Sequence, residues 1–206
     1  KEVRSLADIP VKTLPARVQK LTLAAPDVML IELRLPANER LQFLAGQYVE
    51  ILLTQGKRRA FSIANAPHED ALLQLHVRHT PGGQFTGHVF KTMKERDILR
   101  LRGPQGSFFL RSESVKPMLL VAGGTGFAPV KAIVQQAIRE ESTRPMYVYW
   151  GGRTRADLYL LQLAETWPTE HGQLRFVPVL SEPRGDRDWR GRTGLVHQAA
   201  MADHPD

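Results

Sequence analysis

An antiparallel Greek-key β-barrel followed by a doubly wound α/β layer, two domains on one chain, is the fold class this sequence predicts. Three observations predict it. Short strand-like runs separated by Pro, Gly, Asn and Asp fill the first half. A β, α, β, α, β order fills the second, as in a parallel sheet with helices on both faces. The turn Gly103-Pro104-Gln105-Gly106 marks the change of pattern.

Strands of the first half are expected at 11–22, 28–35, 48–53, 59–63, 73–78 and 98–102, with a single helix over 86–94 after Gly82-Gly83. That is a barrel with one plugging helix. Beyond the turn, strands are expected at 118–122, 146–150 and 174–180, and helices at 130–141, 156–166 and 194–202. The domain boundary is placed near Glu113 to Lys116, giving a barrel domain over 1–113 and an α/β domain over 114–206. No internal repeat is visible, and 186–192, charged and flanked by Gly185 and Gly191, reads as an exposed loop.

The 206 residues can bury one large core or two small ones, and 42% hydrophobic with 24% charged residues is an ordinary globular composition. The mostly apolar stretch 118–130 is too short to span a bilayer and is broken by three glycines and a proline, so no membrane anchor is expected. The chain opens on Lys1 rather than Met with no signal segment, which suggests a fragment or a processed chain with a cytoplasmic location. Without cysteine, these residues form no disulfide, thiolate metal site or Cys-ligated iron–sulfur cluster. His68, His76, His79 and His88 lack a carboxylate at helpful spacing, and no metal site is expected. The net charge of +7 favours acidic partners. Nucleic acid is set aside, because the basic residues are scattered and no recognition motif organises them.

Three segments carry chemistry. Arg59-Ala60-Phe61-Ser62 suits a flavin, which needs an aromatic face on its ring, a donor near N5 and cations on its phosphate. Alternate strand residues share a side, so Arg59 and Phe61 can face a ligand together while Ser62 points away unless a bulge re-aims it. A plain reading is also open, with Arg59 solvated and Phe61 in the core. The second segment, Gly82-Gly83-Gln84-Phe85-Thr86, follows His76-Val77-Arg78-His79 and opens a helix, where free amides form an anion site. A glycine turn with Thr86 as N-cap would need no ligand. The third, Gly123-Gly124-Thr125-Gly126-Phe127-Ala128-Pro129, joins an apolar strand to a helix, where parallel sheets bind ligands. Its spacing is Gly-x-Gly-x-x-Pro, not the Gly-x-Gly-x-x-Gly of a Rossmann dehydrogenase, and Pro129 suits the first helical turn.

Together these motifs resemble the ferredoxin–NADP reductase family, and Arg59-Ala60-Phe61-Ser62-Ile63-Ala64-Asn65 is similar to its bacterial oxygenase-reductase and CDP-6-deoxy-glucoseen reductase branch. The resemblance implies that Arg59 pairs the flavin phosphate, that Phe61, in place of the commoner Tyr, stacks on the ring, and that Ser62 hydrogen-bonds near N5. Phe61 and Ser62 are thereby the catalytic pair. It counts Ala60, His76, Val77 and Arg78 with the cofactor-binding residues, and makes Gly82, Gly83, Gln84, Phe85 and Thr86 a second phosphate motif with Thr86 for the usual Ser. Gly124, Thr125, Gly126 and Pro129 would face the pyrophosphate and nicotinamide of NADH or NADPH. Gly152, Arg153 and Arg155 would lie along the adenosine, where either arginine binds phosphate or is a surface charge. Ser181-Glu182-Pro183 and Trp189-x-Gly191-Arg192-x-Gly194 resemble the branch's flanking segments, with packing on the barrel as the other reading of Trp189.

The activity so implied is hydride transfer from NAD(P)H to FAD, with FMN as the alternative, and release of single electrons to a [2Fe–2S] ferredoxin domain or protein serving an oxygenase or dehydratase. A free flavin reductase and a non-catalytic flavin- or nucleotide-binding regulatory module remain as other readings. The branch's [2Fe–2S] domain and its final strand, Cys-Gly-x-Pro turn and last helix do not occur in these residues, so the second domain is expected to be C-terminally incomplete.

Overall fold

The computed structural model describes residues 9–70, 72–183 and 185–205. In the first half, β1 (Lys12–Ala25), β2 (Val28–Arg34), β3 (Tyr48–Leu52), β4 (Arg58–Ser62), β5 (Leu72–Arg78) and β6 (Ile98–Gln105) form one antiparallel sheet in the order β4-β3-β6-β1-β2-β5. Its ends meet. Ile63 bridges Leu75, the Ala64 amide donates to the Gln74 carbonyl at 2.8 Å, and Asn65 Oδ1 accepts the Gln74 amide at 2.8 Å. With that closure β6-β3-β4-β5 is the order of a Greek key, and a sheet closed on itself hides most of its edges.

Alternation along each strand builds the barrel core. Ala16, Val18, Ile31, Leu33, Val49, Ile51, Leu73, Leu75, Val77 and Leu101 point inward and are essentially inaccessible, each side chain of valine size or larger contributing about 1.5 to 3 kcal/mol by leaving water. The helix α1 (Gln84–Lys91) inserts Phe85 and Val89 into this core. It starts earlier than the sequence predicts because Gly83 takes the N-cap position. It also ends earlier, before a turn in which the Asp97 carboxylate accepts the Lys94 amide at 3.0 Å.

The second half is a four-stranded parallel sheet in the order β10-β9-β8-β7, from β7 (Met118–Gly123), β8 (Met146–Gly152), β9 (Leu174–Leu180) and β10 (Arg192–Thr193). Helices α2 (Phe127–Arg139) and α3 (Leu161–Glu170) share a core with Met118, Leu120, Val148 and Leu174, while α4 (Val196–Asp203) packs with Tyr149 and Val179. Alternate residues of β8 thus feed two cores, as a sheet covered on both faces requires. On the edge strand β7, Leu119 and Val121 stay exposed.

In the second half two helix starts differ from expectation by three residues or more. The first turn of α2 begins at Phe127 and includes Pro129, whose missing N–H is no loss there. The expected helix over 156–166 begins instead at Leu161, because Thr154 and Asp157 form a capping box around a 3-10 turn at Arg155–Asp157. No helix among the described residues is long and apolar enough to cross a membrane.

Candidate functional site

Along β4 the pairing with β3 is continuous: Arg59 faces Ile51, Phe61 faces Val49, and Ser62 faces Tyr48, with no bulge. Ser62 therefore projects opposite to Phe61, and the two side chains share no face of the strand. What they share is an edge. Among the described residues, β4 pairs only with β3 until Ile63 reaches Leu75, so a flat ligand along that edge can meet both. The half-buried ring of Phe61 leans on Phe85 at 5.2 Å between centroids. Arg59 is exposed, and among the described residues its guanidinium donates only to the Arg58 carbonyl, at 2.7 Å. Ala60 is likewise exposed.

The turn before α1 is a tight cradle. Gly82 has φ +74°, in the left-handed region, and a Cβ on Gly83 would stand 2.5 Å from Thr86 Oγ1 and 2.9 Å from the Thr80 carbonyl oxygen. Thr86 is not the N-cap. It sits inside the first turn, where its hydroxyl accepts the Thr80 amide and donates to the Thr80 carbonyl, both at 3.1 Å. The hydroxyl braces the cradle and leaves the opening amides of α1 free of any side-chain cap. Gln84 at the rim reaches Thr54 at 3.5 Å. Phe85 and Val77, expected among the cofactor contacts, have their side chains in the barrel core, so only their main chain can meet a ligand.

On the parallel sheet, Gly124–Gly126 forms a 3-10 turn with Gly124 at φ +50°. A stack of rings supports it from below. Phe127 lies flat on Trp150 at 3.7 Å, and Trp150 Nε1 donates to the Gly124 carbonyl at 2.9 Å. In front of the turn lies a cavity of about 240 Å³ lined by Arg78, Gly124, Gly151, Gly152, Arg153, Asp157, Ser181 and Gly194–Val196. Two buried nitrogens of Arg78, Nε and Nη2, have no partner among the described residues. Orphaned buried donors are costly, and the Arg78 cation at the cavity wall beside the Gly124 turn favours an anion there. The residues present thus fit a dinucleotide phosphate. A larger cleft of about 730 Å³, between Phe43, Pro67, Phe109 and Gln136, touches none of the predicted site residues.

The comparisons with known proteins point the same way. Residues 15–110 match the family model of the oxidoreductase FAD-binding domain, and 120–206 match that of the oxidoreductase NAD-binding domain. The chain is 36% identical over 167 residues to the NAD(P)H-flavin reductase of Aliivibrio fischeri, covering 78% of this chain and 69% of that protein. The chain belongs to the ferredoxin–NADP reductase-like family. Another relative is the CDP-6-deoxy-L-threo-D-glycero-4-hexulose-3-dehydrase reductase of Yersinia pseudotuberculosis, 39% identical over 98% of this chain and 60% of its own length. The chain therefore spans about 60% of that relative. Among solved structures, an Amycolatopsis cytochrome P450 reductase superposes with a TM-score of 0.87 at 37% identity, over 98% of this chain and 62% of the other.

Within this reductase-like chain the strand β5 does more than the sequence suggests. His76 was expected at the cofactor, but its side chain is buried against the other sheet, with Nδ1 2.8 Å from the Tyr159 hydroxyl and Nε2 3.3 Å from Gln74 Oε1. Burial first, and the nearby Lys131 second, push the His76 pKa down to about 3, so the ring is neutral. Lys131, itself pushed down to about 8 by burial, donates to the Ala64 carbonyl at 3.0 Å and to Gln74 Oε1 at 3.2 Å. Arg78 Nη1 donates to Asp157 Oδ1 at 2.8 Å and lies 3.3 Å from Asp27. Burial pushes the Asp157 carboxyl up, but the Thr154 amide and Arg78 outweigh it and hold the group below the ordinary aspartate range.

Sequence reasoning missed Lys131, Asp157 and Tyr159 as members of this junction. Their only signal was polarity at β5 positions facing away from the barrel. Of the two arginines after β8, Arg153 lines the cavity. Arg155 is tied to Asp186 at 2.7 Å and lies 5.5 Å from the Trp189 ring. Trp189 packs on the parallel-sheet core rather than on the barrel, and its Nε1 donates to the Arg192 carbonyl at 3.1 Å. Gly151 and Gly152 answer to packing, since a Cβ on either would stand 2.6 Å from Val196 or Asp157. Among the described residues no group of three or more His, Cys, Asp or Glu side chains could hold a metal ion.

Proposed function

We propose that this chain is the flavin- and nucleotide-binding part of an NAD(P)H-dependent reductase that holds FAD at β4 and α1 and supplies electrons to a [2Fe–2S] partner. The observation that carries the reading is the pair of glycine-built phosphate cradles, one on each sheet. The start of α1 carries no side-chain cap, and beside Gly124 the Arg78 Nε and Nη2 have no partner among the described residues. Bound FAD would supply the chemistry of accepting a hydride from NADH or NADPH and releasing its two electrons singly.

In this reading Arg59 and the α1 amides hold the flavin phosphates, and Phe61 and Ser62 orient the ring from the two sides of the open β4 edge. Gly124, Thr125 and Gly126 admit the nicotinamide nucleotide, Pro129 stiffens the following turn, and Arg78 with Arg153 takes its phosphates. Gly152 lines that cleft with its backbone packed closely against Asp157. The domain boundary near Glu113 to Lys116 and a cytoplasmic location belong to the same proposal. The names of the relatives, a dehydrase reductase and a cytochrome P450 reductase, support a redox-protein partner of the oxygenase or dehydratase kind.

A second reading, a reductase that uses flavin as a loosely held substrate, is favoured by the likeness to the NAD(P)H-flavin reductase. Gel filtration after loading with FAD separates the two. Flavin that co-elutes with the protein in a 1:1 ratio supports the prosthetic group, and flavin that elutes free supports the substrate.

A further inference from the structure

The strand β5 carries two sets of side chains with separate duties. Leu73, Leu75 and Val77 fill the barrel, while Gln74, His76 and Arg78 point outward and each meets a group of the parallel-sheet lobe. Two of those partners lead directly to the walls of the nucleotide cavity. Asp157 Oδ1 accepts from Arg78 Nη1 at 2.8 Å, and its Oδ2 accepts the Arg153 and Thr154 amides at 3.1 and 2.9 Å. Tyr159 places its hydroxyl 2.8 Å from His76, and its ring packs edge-on against Trp150 at 5.2 Å, the same Trp150 that holds the Gly124 carbonyl. The Gly124 turn and the Arg153 turn are both indexed to one strand of the barrel.

We propose that Asp157 and Tyr159 are positioning residues that register the nucleotide lobe on β5 and so govern the rate of hydride delivery at saturating donor. The inference rests on the reading above, which supplies the two ligands. Reacting atoms on two ligands held by different lobes must come within about 3 to 3.5 Å, and a displacement of about 1 Å costs on the order of a hundredfold in rate. The lobes are joined in sequence by the segment 106–117, which is neither helix nor strand, and they also touch where Ala45 enters the parallel-sheet core and where His68 Nδ1 lies 3.4 Å from Gln136 Oε1. The bonds that tie the barrel to the two turns lining the nucleotide cavity are the directional ones of this junction, at 2.8 Å.

The test uses the full chain with Asp157→Asn and Tyr159→Phe, and reads hydrogen exchange as well as rate. In Asp157→Asn without ligands, the Arg153 and Thr154 amides are expected to exchange about tenfold faster or more, since the carboxylate that accepts both is gone. In rapid mixing, flavin bleaching at saturating NADH or NADPH should slow about 10- to 100-fold with the flavin content unchanged, the saturating rate being read apart from the half-saturating concentration because Asp157 also lines the cavity. Tyr159→Phe removes one hydroxyl, leaves the ring on Trp150, and should slow bleaching about three- to tenfold without altering exchange at Arg153 and Thr154. It also serves alone if Asp157→Asn does not fold. A saturating rate within twofold of the parent in both variants, or a loss wholly in the half-saturating concentration, overturns the positioning role. A parent protein that bleaches with neither donor overturns the reductase reading instead. In that case Asp157 is judged by the exchange result alone.

Discussion

Arg59 and Arg78 lie on strands that meet where the barrel closes, and the sequence reads both as cofactor contacts, yet the fold treats them oppositely. Arg59 is exposed with one backbone acceptor. Arg78 is partly buried, paired with Asp157 across the junction and with Asp27 of its own barrel, and still holds two nitrogens without a partner among the described residues. The comparison separates two ways of preparing a phosphate contact. An exposed guanidinium costs the fold little and gains its partner only on binding. A buried one is aimed in advance by a carboxylate, so its removal is felt by fold and ligand together.

Breaking that contrast starts with Arg78→Ala, for which the largest effect is expected. It strips Asp157 of its guanidinium and should lower stability by about 2 to 3 kcal/mol in urea unfolding, below the full cost of a broken buried pair because Arg78 is partly exposed and Asp157 keeps the Arg153 and Thr154 amides. Arg59→Ala should instead leave stability within about 0.5 kcal/mol while weakening flavin binding about 10- to 100-fold by titration. A destabilised Arg59→Ala or a stable Arg78→Ala would reverse the comparison.

A pH dependence sharpens it. His76 at the same junction has its pKa pushed from 6.5 to about 3. Between those values the unfolded chain takes up a proton that the folded chain refuses, so stability is lost as pH falls below 6.5. A drop of about 1 to 2 kcal/mol between pH 7 and pH 5 is expected from this group, and His76→Gln should flatten that slope in calorimetry. The smallest effect is expected of Arg155→Ala, which breaks an exposed pair with Asp186 worth about 0.2 to 1 kcal/mol. Its affinity for NADH and NADPH should change less than about threefold by fluorescence titration, since the guanidinium is already held by Asp186 and Trp189.

The strands were legible because alternation in runs such as Leu73, Leu75 and Val77 reports a half-buried sheet directly. The glycine turns were legible because left-handed backbone at Gly82 and Gly124 restricts the residue type. Helix starts were less so. At α3 a local capping box overrode periodicity, and at α1 Gly83 took the position expected of Thr86. The junction was hidden for a different reason. Asp157 and Tyr159 are far in sequence from Arg78 and His76, and a hydrogen-bonded pair between two lobes leaves no local pattern in either segment.

The most direct measurement is the anaerobic visible spectrum of the FAD-loaded protein on addition of NADH or NADPH. The account predicts that the visible band of the oxidised flavin bleaches with at least one of the two donors. A protein that holds FAD and keeps that band unchanged with both would contradict it.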